Sequence, residues 1–540
     1  MGKLVIYHKY LIDNDKTIYL TEFFNCNNNK AIIVAPSLGW YSVGPNRMFT
    51  QLAKIAEQNN VNIYSMDYPG QGESYKINQL VEYNQLKESF DLCYKYVKSV
   101  NDVVYILGYG IGNYICLEKA KIYKELEGII LYLPYLNDNY KENNVEKKTI
   151  SIDTNNEQDI IKWRRYIGYG LDVDFNPISR RVIDECNKID RKKILLEVKC
   201  PILIISNIEE NYVQTNISVE CVREFEKYIL AKDWPKNLLP NILRNVNQKI
   251  LDWVNMVDVK GKKTINNKIV IKNEIIKNEA RIILEDYATE NEKCLAVVHL
   301  PNKADRMPCI ILVTGLGGDK METNLTGPRL GEFFSKRGYC VIRYDSRYAG
   351  TSYNDLSEAT IEKLSDDLNN VVNCLVLKYS NIIDVNNLFY IGWSEGAKII
   401  TVAAQKKDSY PAKSCVFWNP VYVENEGGIK NRNEKSSFVR NVENRKLVKS
   451  VNNAGEWFGL EYVLNNKKNN YYIDSLLKYK AKIFIIWSKG DARDKNYEFF
   501  LKQDIDESIV DTDKHSFTYD LVEHLFKLSY DWFQMLNDSK

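Results

Sequence analysis

The run Gly392-Trp393-Ser394-Glu395-Gly396 is a G-x-S-x-G pattern that follows a short apolar stretch and opens a helical one. A serine held in a sharp strand-to-helix turn has its hydroxyl lifted clear of the chain, and side chains at the two outer positions would collide with neighbouring backbone. The helix that follows turns its free N–H groups and positive dipole end toward negative charge forming beside the serine. Ser394 is therefore the candidate nucleophile, and the Glu395 N–H a candidate donor to an oxyanion. A second donor is expected from Leu316, in the glycine turn Thr314–Gly318; that turn lacks the spacing of a phosphate loop. The serine needs a base, and the chain has 4 histidines, His8, His299, His515 and His524. His299 lies in an apolar alternating stretch and His524 inside a long helical one, so both read as structural; His8 has no evident partner. His515 sits in a polar loop, Asp511–Phe517, just ahead of a helix expected over Thr518–Asn537. It is the candidate base. The carboxylate that would orient its ring should follow the preceding strand, where Ile483–Ser488 leads to Asp491, with Asp494 in reserve.

These residues must be positioned by a sheet, and the sequence writes that sheet twice. Ala31–Gly39 and Cys309–Gly317 are both apolar strands leaving into glycine turns, 278 positions apart; Asn62–Ser74 and Cys340–Ser352 repeat the match at the same interval. Helical patterns at Met48–Gln58 and Leu330–Arg337 separate the paired strands. Later strands are expected at Val103–Leu107 and Asn387–Ile391, then at Pro201–Ser206 and Lys482–Trp487. This rhythm predicts an α/β fold in two tandem domains, each a mostly parallel sheet with helices on both faces. The domains are expected at 1–255 and 256–540. Alternating stretches at Lys268–Ile275, Ala280–Glu285 and Leu295–Leu300 predict antiparallel edge strands at the start of the second. Its inserted region, about 422–479 with helical segments near Glu456–Leu464, lies where a lid would be; the first domain's insertion, 137–198, includes helical pieces at Asp159–Gly168 and Ser179–Ile189.

The first copy keeps the frame and loses the chemistry. Its elbow reads Gly108-Tyr109-Gly110-Ile111-Gly112, with Gly110 where the serine should be. Glu210 falls near the acid position, the late loop carries Asp233, and no histidine occurs between His8 and His299. A domain without hydroxyl or imidazole at these positions cannot perform Ser–His catalysis. It is expected to be non-catalytic, either packing against the second domain or binding a protein or part of a substrate.

Composition narrows the remaining classes. The 540 residues carry a net charge of +2 with 45% hydrophobic and 27% charged residues, an ordinary globular balance that gives no reason to expect a nucleic-acid or membrane partner. No run of 18 apolar residues and no signal-peptide core is evident, so a cytoplasmic location is expected. The 11 cysteines contain no C-x-x-C pair and read as buried free thiols; no histidine spacing suggests a metal.

On these motifs both halves resemble the α/β-hydrolase superfamily. The second is most similar to its esterase, serine-aminopeptidase-like and feruloyl-esterase branch, through Thr314–Gly318, Tyr344–Arg347 with Gly350-Thr351-Ser352, the Gly392–Gly396 elbow, Gly490-Asp491 and Lys514–Phe517. Two positions depart from that pattern: Thr314 replaces a histidine and Ser488 a glycine. The resemblance implies a serine hydrolase acting on an ester, thioester or amide, with no cofactor, and a small-molecule or acyl-carrier-type substrate. An acyltransferase using the same triad and a binding protein with a vestigial triad are the alternatives.

Overall fold

The computed structural model describes residues 5–37, 41–44, 47–74, 81–132, 134, 180–206, 216–221, 241–257, 269–277, 280–289, 292–302, 306–315, 317–322, 325–354, 358–423, 439–442, 445–449, 457–459, 462, 471–513, 515, 517 and 521–538. The chain divides into two compact units, the second of which takes up the strands from Glu274 onward. The sheet of the first contains β1 (Val5–Asp13), β2 (Lys16–Phe24), β3 (Lys30–Ala35), β4 (Val61–Met66), β5 (Val103–Tyr109), β6 (Gly128–Tyr132), β7 (Ile202–Ser206), β8 (Ile217–Cys221) and β9 (Val270–Lys272). The second contains β10 (Glu274–Lys277), β11 (Ala280–Ala288), β12 (Lys293–Pro301), β13 (Met307–Val313), β14 (Cys340–Tyr344), β15 (Ile383–Trp393) and β16 (Ser414–Trp418). Three short strands, β17 (Val439–Val442), β18 (Arg445–Lys449) and β19 (Trp457–Gly459), belong to the insertion, and β20 (Lys482–Ser488) and β21 (Asp506–Val510) complete the second sheet.

Strand order is β8-β7-β6-β5-β3-β4-β2-β1-β9 in one sheet and β10-β11-β12-β14-β13-β15-β16-β20-β21 in the other. Read in opposite directions, the two orders are the same plan, each with one extra strand at its antiparallel edge. Register repeats as well: Ala31 pairs with Asn62, and Cys309 with Cys340. Each unit is thus a mostly parallel, helix-flanked sheet of α/β-hydrolase-like order.

The central strands read as unbroken apolar runs because both faces are covered. In β13 the alternation of a strand sends Cys309, Ile311 and Val313 to the core on one face, under the helix Ile361–Lys378, and Ile310 and Leu312 to the other. The second face is closed by the helices Thr326–Ser335 and Val522–Asp538, through Leu330, Phe334, Phe526 and Phe533. The helix Ile361–Lys378 forms for local reasons too: Thr360 caps it by accepting from the Lys363 N–H, and Ile361, Leu364, Leu368, Val371 and Leu375 fall on one face.

Four expectations need correction. The stretch 268–275 is two strands: β9 pairs with β1 of the first sheet and β10 with β11 of the second, with Asn273 between them. The segment near 456–464, expected to be helical, is helical at Tyr462 but first forms the strand β19, paired with β18. The final helix begins at Val522, four residues later than expected. The expected piece at Asp159–Gly168 lies outside the described residues, whereas that at Ser179–Ile189 corresponds to the helix Arg180–Lys188. All 11 cysteines are free thiols, but they are not all buried as expected: Cys26 and Cys374 are exposed and Cys200 and Cys221 half-buried. Among the described residues no helix is long and apolar enough to cross a membrane.

Candidate active site

Ser394 stands between β15 and the helix Gly396–Ala403, with φ of 54°. A non-glycine residue in the left-handed region costs about 1–3 kcal/mol and persists only where its surroundings hold it. Two contacts hold this one: its N–H donates to the Trp418 carbonyl at 2.8 Å, and its carbonyl accepts from Val421 at 3.3 Å. The flanking glycines are required by space. A Cβ at Gly396 would lie 2.1 Å from the Val313 carbonyl oxygen, and one at Gly392 would lie 2.8 Å from the Ala397 nitrogen. The turn after β13 approaches so closely that a Cβ at Gly315 would come within 3.2 Å of the Ser394 Cβ. Thr314, the departure from the family pattern, closes this turn by donating from Oγ1 to the Gly318 carbonyl at 3.3 Å. Leu316 lies outside the described residues.

At the end of β20 the Asp491 carboxylate is hydrogen-bonded to Nδ1 of His515. Asp491 is itself located by its N–H, which donates to Ser488 Oγ at 3.2 Å, so the second departure also has a use. Asp494 does different work. Its carboxylate caps the helix Lys495–Phe500, accepting from the Asn496 and Tyr497 N–H groups at 2.8 and 3.1 Å. Geometry thus separates two carboxylates that the sequence left as alternatives: one meets the imidazole and the other satisfies a helix end.

The loop bearing His515 is pinned by a residue that the motif reading missed. Asn419, 1% exposed and at φ 45°, follows β16 and bridges three elements. Its N–H donates to Ile486, its Oδ1 accepts from Ser488 at 2.7 Å, and its Nδ2 donates to the His515 carbonyl at 2.8 Å. Phe517 adds an apolar anchor, buried and 6.2 Å from the Trp393 ring. Ser394, Asp491 and His515 are therefore all tied to the adjoining ends of β15, β16 and β20. Among the described residues the Ser394 hydroxyl makes no hydrogen bond to the imidazole; such contacts are often long before substrate arrives. The His515 side chain is 44% exposed, open to solvent.

Glu395 begins the helix, and its carboxylate accepts from the Tyr462 hydroxyl of the insertion, with the buried Lys398 ammonium 3.7 Å away. The remaining histidines lie elsewhere. His299 is buried, its Nε2 accepting from Arg343 Nε at 2.9 Å; burial and the Arg343 charge hold it well below the ordinary histidine value, hence neutral. His524 is exposed on the last helix, and His8 meets the Tyr19 hydroxyl.

In the first unit Gly110 has φ of 56°, nearly the value at Ser394. The space where a side chain at 110 would begin is occupied: its Cβ would lie 2.1 Å from Ser37 Oγ and 2.6 Å from Ser37 Cβ. Ser37 stands 278 residues before Gly315, its counterpart in the second unit. The two copies have exchanged residues, with serine on the elbow and glycine on the facing turn in one, and the reverse in the other. Glu210 and Asp233 lie outside the described residues.

No family model and no curated protein matches the chain. Among solved structures, Est1E from Butyrivibrio proteoclasticus with ferulic acid bound is similar at 16% identity and a TM-score of 0.39, over 47% of this chain and 100% of that one. A hypothetical protein from Pseudomonas aeruginosa is similar at 13% identity and a TM-score of 0.37, over 50% of this chain and 97% of its own. Dienelactone hydrolase from Anabaena variabilis gives 12% identity and a TM-score of 0.32, over 48% of this chain and 98% of its own. Each spans about half of the present chain.

Proposed function

We propose that the second unit is a serine-dependent acyl hydrolase, with Ser394 as nucleophile, His515 as base and Asp491 as the carboxylate that orients the imidazole. The observation that carries this reading is the Asp491–His515 hydrogen bond on a loop tied, through Asn419, to the strand ends beside the strained Ser394. In the reaction His515 takes the hydroxyl proton as Ser394 Oγ bonds to the carbonyl carbon of an ester, thioester or amide. The N–H groups of Glu395 and Leu316 receive the oxyanion. As the bond to the leaving group breaks, the proton passes to that group. Water, deprotonated by the same imidazole, then attacks the acyl-enzyme and the acid departs, restoring the Ser394 hydroxyl. No cofactor enters these steps.

The first unit is the non-catalytic copy: Gly110 has no hydroxyl, and Ser37 fills the place where one would be attached. The test is intact-mass spectrometry after exposure to a fluorophosphonate. One adduct is expected on the native protein and none on Ser394→Ala, with the His515→Ala rate reduced by at least about 10³-fold. An unlabelled, folded native protein would point to the binding-protein alternative.

A further inference from the structure

The turn that reaches Ser394 is held from behind by a buried ion pair whose lysine is absent from the equivalent place in the other copy. Lys320 ends this turn. Its N–H donates to Asp345 Oδ1 and its ammonium to Asp345 Oδ2, both at 3.0 Å, while its carbonyl accepts from Arg343 Nη1 at 3.3 Å. The Lys320 and Asp345 side chains are 2% and 0% exposed. Lys320 also has no room to move toward the next helix, since a Cβ at Gly327 would lie 2.0 Å from its carbonyl oxygen.

The first unit supplies the control. At the same interval of 278, Ser42 stands for Lys320, Asp67 for Asp345 and Ser65 for Arg343. The backbone contacts survive: the Ser42 N–H donates to Asp67 Oδ1 at 2.6 Å, and Ser65 Oγ donates to the Ser42 carbonyl at 2.6 Å. These two contacts therefore belong to the fold. What differs is the second carboxylate oxygen. In the first unit Asp67 Oδ2 accepts from the Glu73 N–H at 2.7 Å, within its own turn. In the second unit Asp345 Oδ2 goes to the Lys320 ammonium, so both oxygens hold one residue of the turn.

A buried ion pair is a poor source of stability, because desolvating both charges consumes most of their attraction. The non-catalytic copy folds with a serine in the lysine's place. We propose that Lys320, through Asp345, is a positioning residue for the oxyanion side of the site, fixing the turn that carries Gly315 at its working distance from Ser394. It acts through the backbone of the turn and touches no substrate. The proposal rests on the serine-hydrolase reading, and its test separates the two.

The variants are Lys320→Ser, which installs the first unit's residue, and Lys320→Met with Asp345→Asn, which removes the pair without leaving a lone buried carboxylate and keeps the Oδ1 acceptor. Lys320→Arg is the charge-conserving control. Folding is followed by thermal unfolding, and Ser394 reactivity by the saturation kinetics of fluorophosphonate labelling. A displaced oxyanion turn lowers the maximal labelling rate and leaves the half-saturating probe concentration nearly unchanged; a fall of roughly 10- to 100-fold is expected, with Lys320→Arg retaining most of the native rate. If either charge-removing variant is folded and labels at the native maximal rate, the pair is structural only and the proposal fails. The proposal also fails if the loss appears entirely in half-saturation. Should the native protein itself not label, the serine-hydrolase reading fails first.

Discussion

Replacing Asp491 and Asp494 one at a time should give opposite phenotypes, although both follow the same strand within a single turn of chain. Asp494→Ala removes a helix cap that accepts two N–H groups. That loss costs about 0.5–2 kcal/mol. It also loosens Asn496, whose Oδ1 receives the Tyr422 and Val423 N–H groups at 2.7 Å each where the insertion begins. The unfolding midpoint should fall while Ser394 keeps its reactivity to within a few fold. Asp491→Ala leaves the cap intact and takes away the imidazole's partner. The Asp491 hydrogen bond to the imidazole adds little to stability, and a change of about 1 kcal/mol is expected. Its effect falls on the reaction: roughly 10³- to 10⁴-fold slower labelling, or about 4–5.5 kcal/mol of transition-state stabilisation. Thermal unfolding and timed fluorophosphonate labelling by intact mass measure the two quantities on the same samples. Labelling abolished by Asp494→Ala and untouched by Asp491→Ala would refute the assignment.

Crowding in the first unit and burial in the second each lead to a further test. Gly110→Ser should destabilise the first unit because its Cβ enters the space of Ser37, and adding Ser37→Gly should recover part of that loss. A double-mutant cycle by urea unfolding should return a coupling above about 0.5 kcal/mol, and additivity would contradict the exchange. Asp319, beside the buried pair, is pushed up to about 6 by burial first and by Asp345 second. A carboxyl raised in the folded state contributes stability below its unfolded value near 3.8 and loses it as pH rises through about 6. Asp319→Asn keeps an acceptor for the Met321 N–H, so its stability relative to the native protein should be more than about 1 kcal/mol greater at pH 7.5 than at pH 5. An equal difference at both pH values would refute this.

Much of the frame was legible because its signals are local. The elbow glycines and the doubled strand-turn segments at an interval of 278 are set by a few neighbouring residues. The long-range parts were not. Nothing near Asn419 announces that it will bridge Ser488 and His515, since its partners lie 69 and 96 residues away. The alternating stretch 268–275 gave no sign that its halves serve different sheets, because alternation reports a half-buried strand and not its neighbour. Asp494 stayed in reserve behind Asp491 because aspartate suits both a helix cap and an imidazole partner, and only the three-dimensional contacts distinguish the two.

The two elbows show which part of the motif is fold and which is chemistry. A Cβ at Gly112 would lie 1.9 Å from the Ala35 carbonyl oxygen, and one at Gly396 2.1 Å from that of Val313. At Gly108 it would meet the Asn113 nitrogen at 2.7 Å, and at Gly392 that of Ala397 at 2.8 Å. The outer glycines are thus demanded by the strand-turn-helix crossing, in a copy with no nucleophile as much as in the other. They say nothing about catalysis. The central position is different: the backbone has φ of 56° at Gly110 and 54° at Ser394, a state glycine adopts freely and serine only with strain. One copy has glycine there, and the facing turn fills the space. The other keeps the strained serine, clears the facing turn to Gly315, and holds that turn with a buried ion pair. Stability alone would favour the first solution in both copies. The second is the arrangement that the proposed use of the Ser394 hydroxyl requires.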